Sequence, residues 1–267
     1  MLSGYRLAEM SENVIDWPEY LREFHTAAPG STEALLSRAV AGDHTPYRWL
    51  VRAVSGEARR VLDLACGNGP VARELYGRWV VGVDNNPAQL AGAPGPKVQA
   101  DALHLPFANE VFDVVTCSMG LMVLQPLPAV LSEAARVLRR GGVLAAIVPA
   151  VRPLRRGDIR TLSGLTTRLR STPQFPAGGE ITELKEKLLT AGFDVMESQR
   201  ERYVYTIRSR DDAQRLVNAV YLPGTPDARR DTAAEWLADR AESKDGLEVA
   251  IPIRRITAMR TKVALTS

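Results

Sequence analysis

The residues best placed to do chemistry are three acids, Asp63, Asp84 and Asp101, each where a strand-like run gives way to a turn. Asp63 lies inside VLDLACGNG, residues 61–69, a run of β-formers that ends in a glycine-bearing turn. Gly67 and Gly69 let the main chain turn sharply and meet a ligand without a Cβ in the way. Pro70 then opens a helix whose free N–H groups aim at the same spot. An anionic group belongs there. Read as G-x-G-x-x-A, with Ala72 last, the stretch also fits a dinucleotide fingerprint, a weak signal by itself. A carboxylate at Asp63 repels a pyrophosphate, but it attracts the ammonium of an amino-acid moiety whose own carboxylate takes the helix N-terminus. The plainer alternative is that Asp63 hydrogen-bonds only its own turn. Asp84 closes VVGVD about 20 residues later, where an acid can accept both hydroxyls of a ribose. Capping the helix of NPAQLAG is its competing role. Asp101, in ADALHLPF, can accept the exocyclic amine of an adenine while the Ala102 N–H reaches a ring nitrogen.

The elements that must position these acids alternate strand, turn and helix from Arg59 to Pro149. RRVLDLAC, WVVGVD, KVQA, VFDVVTCS and GGVLAAIVP read as strands, with helices opened by Pro70 and over PAVLSEAARVL. Strands apolar on both faces imply a parallel sheet covered on both sides. The predicted fold is a doubly wound, seven-stranded, Rossmann-like α/β sheet with its last strand antiparallel, and ligands bind such sheets outside the carboxyl ends of the strands. Residues 1–58 read as helical, in WPEYLREFH and STEALLSRAV, with Ser31 and Thr45 as N-caps and Pro46 in a first turn. After Pro149 comes an arginine-rich stretch of little periodicity, then the helix ITELKEKLLTAGF, stopped at Gly192. The strands DVMESQRERYVYTI and LEVAIPIRRITAMRTKVAL follow, with two helices inserted between them. This divides the chain into a helical lid segment (1–58), a cofactor-binding core (59–150) and a completion of the sheet with substrate-side loop and insert (151–267).

With 267 residues, 45% hydrophobic and 24% charged, the chain has a full core's worth of apolar side chains, and a net charge of +3 does not call for nucleic acid. Cys66 and Cys117 sit in apolar stretches and read as reduced thiols, neither a disulfide nor a metal site, which fits a cytoplasmic setting. The segment MLSGYRLAEMSENVIDW lacks an apolar run, and no stretch approaches the roughly 20 uncharged residues of a membrane span.

S-adenosyl-L-methionine carries the ammonium, carboxylate, ribose and adenine that the three acids and the glycine loop suit. Taken in order, VLDLACGNG, VVGVD, ADALHLPF, FDVVTCS and ARVLRRGGVL resemble the successive motifs of class I S-adenosylmethionine-dependent methyltransferases over residues 59 to 150. The resemblance implies methyl transfer by in-line displacement, with S-adenosyl-L-homocysteine as product. It assigns Asp63, Ala65, Cys66, Gly67, Asn68 and Gly69 to the first motif, with Ala65 standing where glycine is commonest. It makes Asp84, beside Asn85, the ribose acid and Asp101 the adenine acid, lines the base with Ala102 and Leu103, and sets Cys117 and Ser118 at the methionine end, Cys117 fitting a core role better. GLMVL replaces a segment that frequently carries a histidine in this family, so no general base is evident.

Acceptor-side residues must come from the flanks. His25 and Tyr20 are the catalytic candidates, against ordinary helix packing, and Tyr203, Tyr205 and Tyr221 are candidates to line the substrate. His44 and His104 read as cap-side and packing residues. A small-molecule acceptor under a helical lid is the leading reading. An RNA nucleobase methyltransferase is the alternative, motivated by Arg152, Arg155, Arg156, Arg160, Arg168 and Arg170 with only Asp158 among them. A non-enzymatic cofactor-binding protein and an NAD-dependent oxidoreductase stand behind these, the latter needing a phosphate beside Asp63.

Overall fold

A computed structural model describes residues 15–178, 181 and 183–261. The reading of residues 1–14 and of the last strand's reach beyond 261 lies outside the described residues. Three short helices come first. In α1 (Trp17–Ala27) the Asp16 side chain accepts from the Glu19 N–H, and in α3 (Pro46–Val51) Thr45 caps by accepting from the Arg48 N–H. Ser31 does not cap α2 (Ser31–Leu36). It is the first helical residue, and Gly30, in the left-handed region at φ 74°, takes the cap position. Tertiary docking decides this: the Gly30 N–H donates to Gln89 Oε1 at 2.8 Å, and a Cβ at residue 30 would collide with the Asn68 amide.

The alternating zone then follows as β1 (Arg60–Leu64), α4 (Pro70–Glu74), β2 (Trp79–Asp84), α5 (Pro87–Ala91), β3 (Lys97–Gln99), β4 (Phe112–Ser118), α6 (Leu127–Val137) and β5 (Leu138–Pro149). It continues as α7 (Arg156–Leu169), α8 (Leu184–Thr190), β6 (Phe193–Ile207), α9 (Arg210–Asn218), α10 (Asp227–Glu242) and β7 (Leu247–Arg260). The seven strands form one sheet in the order β3-β2-β1-β4-β5-β7-β6, with β7 antiparallel to both neighbours. Strand alternation sends Leu62, Leu64 and Val115 into a core shared with α6 and α8, and Val61 and Val114 into another with α3 and α4. Strand order reverses between β1 and β4, which opens a crevice at their carboxyl ends.

The arginine-rich stretch expected to be irregular is the helix α7. Its periodicity is hidden because two of its three buried residues are polar, Asp158 and Thr161 beside Leu169. Asp158 accepts from the Arg155 N–H at 2.6 Å and from Nε and Nη2 of Arg202, both at 2.7 Å. Arg168 lies over the Trp236 ring at 4.1 Å. The helix covers α10 and β7, and none of its residues lines the crevice.

Candidate active site

The glycine loop between β1 and α4 forms the floor of a cleft of about 780 Å³. Ala65, Gly67 and Gly69 all adopt positive φ, at 53°, 55° and 78°. The loop is tied down by the Cys66 N–H, which donates to the Val83 carbonyl at 2.9 Å. Asp84 joins the loop to the next one: Oδ2 accepts from the Gly67 N–H and Oδ1 from the Asn86 N–H, both at 2.9 Å. It does not cap α5. Asn86 does, accepting from the Ala88 and Gln89 N–H groups, so Asp84 faces the cleft.

Asp63 lies beneath this loop and is fully buried. Its Oδ1 accepts from the Thr116 hydroxyl at 2.9 Å, and its Oδ2 has no partner. Burial pushes its carboxyl up to about 7; the Thr116 hydrogen bond opposes the rise, and the nearby Asp84 and Glu33 charges add to it. Glu33 of α2 stands against the loop from the other side, where Oε1 accepts from the Asn68 N–H at 3.3 Å. Burial raises its carboxyl as well. Ser31 Oγ, Glu33 Oε2, Asn68 Oδ1 and Ser118 Oγ are, like Asp63 Oδ2, buried and unpartnered. Three acids in mutual electrostatic reach, with unsatisfied oxygens around them, form a site in which negative charge outweighs the opposing charge of Arg73.

At the other end of the cleft Asp101 is exposed and accepts from the Leu103 N–H at 2.9 Å. Leu103 and Asn85 line the wall, whereas Ala102 is buried in the core behind it. Elsewhere around the cleft, α1 contributes Trp17, Leu21 and His25, and the segment after β4 contributes Met119, Val123 and Leu124. His25 bridges Gln89 Nε2 at 2.8 Å and the Tyr221 hydroxyl at 2.9 Å, and burial lowers the pKa of its imidazole despite Asp84 nearby.

The structure brings His25 and Tyr221 together on the cleft wall, which Tyr47 also lines, but not the candidates Tyr20, Tyr203 and Tyr205. Tyr20 packs behind them, its hydroxyl accepting from the Leu222 N–H at 2.9 Å. Tyr203 is buried against Trp49 and His44, and Tyr205 against α9 and α10. Both point to the sheet face that α2, α3 and the insert cover, so neither reaches the cleft. Glu33, Gln89 and Thr116 escaped the sequence reading, since each looks like an ordinary residue of its helix or strand. Among the described residues, no group of three or more His, Cys, Asp or Glu could hold a metal ion, and no helix is long and apolar enough to cross a membrane.

A doubly wound sheet with a glycine loop at its switch point, and acids in or just after three successive strands, is the architecture of the Rossmann-like methyltransferases. The family model described as "Methyltransferase domain" matches residues 62–146. A demethylmenaquinone methyltransferase of Mycolicibacterium gilvum is 34% identical over 180 residues, covering 64% of this chain and 70% of that protein. The chain therefore belongs to the class I S-adenosylmethionine-dependent methyltransferases. The demethylmenaquinone methyltransferase of Mycolicibacterium paratuberculosis is 45% identical over 94 residues, 33% of this chain. That match spans only 41% of the relative's length. Among solved structures, Haemonchus contortus phospholethanolamine N-methyltransferase 2, in complex with phosphomonomethylethanolamine and S-adenosylhomocysteine, shares the fold. Its TM-score is 0.55 at 15% identity, covering 93% of this chain and 61% of that one.

Proposed function

We propose that the cleft binds S-adenosylmethionine and that the chain methylates a small-molecule acceptor, with a reduced quinone of the demethylmenaquinone kind as the leading class. The observation that carries the cofactor is the cluster of Asp63, Glu33 and Asp84 around a glycine loop, with buried oxygens left unpartnered. The residues fit the group: a cationic amino-acid end would meet Glu33, with the buried Asp63 beneath the loop, a ribose would meet Asp84, and an adenine would lie between Leu103 and Asp101. Once bound, the cofactor supplies an activated methyl group. The chain's own contribution is alignment and exclusion of water by α1 and Tyr221, effects worth up to about 7–11 kcal/mol when geometry is good. The acceptor class follows from the names of the relatives and from the apolar wall of Met119, Val123 and Leu124.

Calorimetric titration with S-adenosylhomocysteine, followed by transfer of labelled methyl to reduced demethylmenaquinone, tests both parts. Binding that weakens in Asp84→Asn supports the cofactor site. No binding to the native chain refutes it, and binding without transfer refutes the acceptor.

A further inference from the structure

Four groups from four parts of the chain form one hydrogen-bonded line along the acceptor wall. It starts at the Gly30 N–H, which can only donate, so the Gln89 amide must turn its Oε1 toward it, at 2.8 Å. Gln89 Nε2 then faces His25 Nδ1 at 2.8 Å. An amide nitrogen does not accept, so Nδ1 is the bare, accepting nitrogen of a neutral ring. The ring hydrogen therefore sits on Nε2 and is donated to the Tyr221 oxygen at 2.9 Å. Burial lowers the pKa of His25 and raises that of Tyr221, which agrees with a neutral imidazole and a protonated phenol.

Two consequences follow. His25 has no lone pair left to take a proton, so it is a positioning residue and not a base. The Tyr221 hydroxyl, already accepting from His25, must send its own hydrogen elsewhere, and among the described residues it bonds to nothing else. The ring cannot swing away, because Phe24, His25 and Phe175 pack edge-on against it with centroids at 4.7, 5.7 and 5.8 Å.

We propose that Tyr221 is the hydrogen-bond donor that recognises an oxygen of the methyl acceptor, its polarity set by the line from Gly30 through Gln89 and His25. The acceptor class is a largely apolar molecule presenting a phenolate or carbonyl oxygen to this wall, beside Val123 and Leu124. A substrate offering only an N–H donor, with no lone pair toward the Tyr221 hydroxyl, is disfavoured at that place. The proposal rests on the reading of the cleft as a methyltransferase site.

The test uses the full chain saturated with S-adenosylhomocysteine and 4-nitrophenolate as the oxygen probe, whose absorbance moves to shorter wavelength when its oxygen accepts a hydrogen bond. The native protein is expected to bind the probe with that shift. Tyr221→Phe is expected to lose the shift and about tenfold or more of the affinity, as for a charge-assisted bond, with S-adenosylhomocysteine affinity unchanged. Nitrogen-15 resonances of His25 are expected to show hydrogen on Nε2 and none on Nδ1, a signature that packing alone does not impose. Native protein that ignores the phenolate, a Tyr221→Phe variant that keeps both shift and affinity, or a hydrogen on His25 Nδ1 overturns the proposal. Failure of S-adenosylhomocysteine to bind instead removes the underlying reading, so the two failures are distinguishable.

Discussion

Glu33 stands so close to Gly67 that a Cβ on the glycine would fall on the Glu33 carboxylate. A helix placed before the sheet thus forms one wall of the loop that follows β1. Gly67→Ala would suffer twice, from its φ of 55° and from that collision. The left-handed conformation alone costs about 1–2 kcal/mol for a residue with a Cβ. We expect Gly67→Ala and Glu33→Ala to be non-additive in urea unfolding, the double variant being less destabilised than the two losses combined. Strict additivity would mean that the contact is absent.

Asp63 should make the protein less stable as pH rises. Its folded value near 7 lies above the ordinary value of 3.8 because of burial, so the folded chain holds a proton that the unfolded chain releases. The stability this gives is fully present below about pH 4 and is lost as pH climbs through 7. Asp63→Asn keeps the acceptor for Thr116 without the charge. Its melting temperature relative to the native chain is expected to rise between pH 5 and pH 8 by at least about 3 °C. A difference that does not change with pH would count against it.

The same proton links pH to cofactor. A cationic amino-acid end favours the charged form of Asp63, so binding must expel the proton wherever the free protein holds it. Affinity for S-adenosylhomocysteine is expected to rise from pH 6 to pH 8, with proton uptake by buffer visible when calorimetry is repeated in buffers of different ionisation heat. In Asp63→Asn both effects should shrink.

Asp158 and Arg202 form a buried pair, with side chains 5% and 13% exposed. Asp158→Ala leaves the guanidinium without its main partner and is expected to cost about 3–5 kcal/mol. Asp158→Leu combined with Arg202→Met should cost clearly less. Urea titration distinguishes the two, and equal losses would show that the pair itself matters more than the stranded charge.

Much of this arrangement is legible in the chain because it is set locally. The glycine loop, the Pro70 and Pro87 helix starts and the strand Trp79–Asp84 all follow from backbone constraints and from apolar runs within a few residues. What escapes is decided by tertiary contact. Ser31 has the chemistry of a cap, yet docking of Gly30 on Gln89 moves the helix start by one residue. Tyr203 and Tyr205 alternate as strand residues should, but nothing in β6 tells which sheet face other helices will cover. Helix α7 hides its inward side because an aspartate and a threonine point there, the aspartate satisfied by an arginine about 40 residues away in sequence and the threonine hydroxyl donating to the Gly157 carbonyl.

The insert carrying Tyr221 leaves the sheet at Ile207 and returns at Leu247, and these two residues are paired across β6 and β7. The two ladders meet at the point of departure, so residues 208–246 can be exchanged or lengthened without breaking a single strand pairing. On the proposed reading one part of the acceptor wall, Tyr221, travels on this excursion, whereas α1 and the segment after β4 supply the rest. Remodelling that excursion would change one side of the cleft and leave the glycine loop and Asp84 in place.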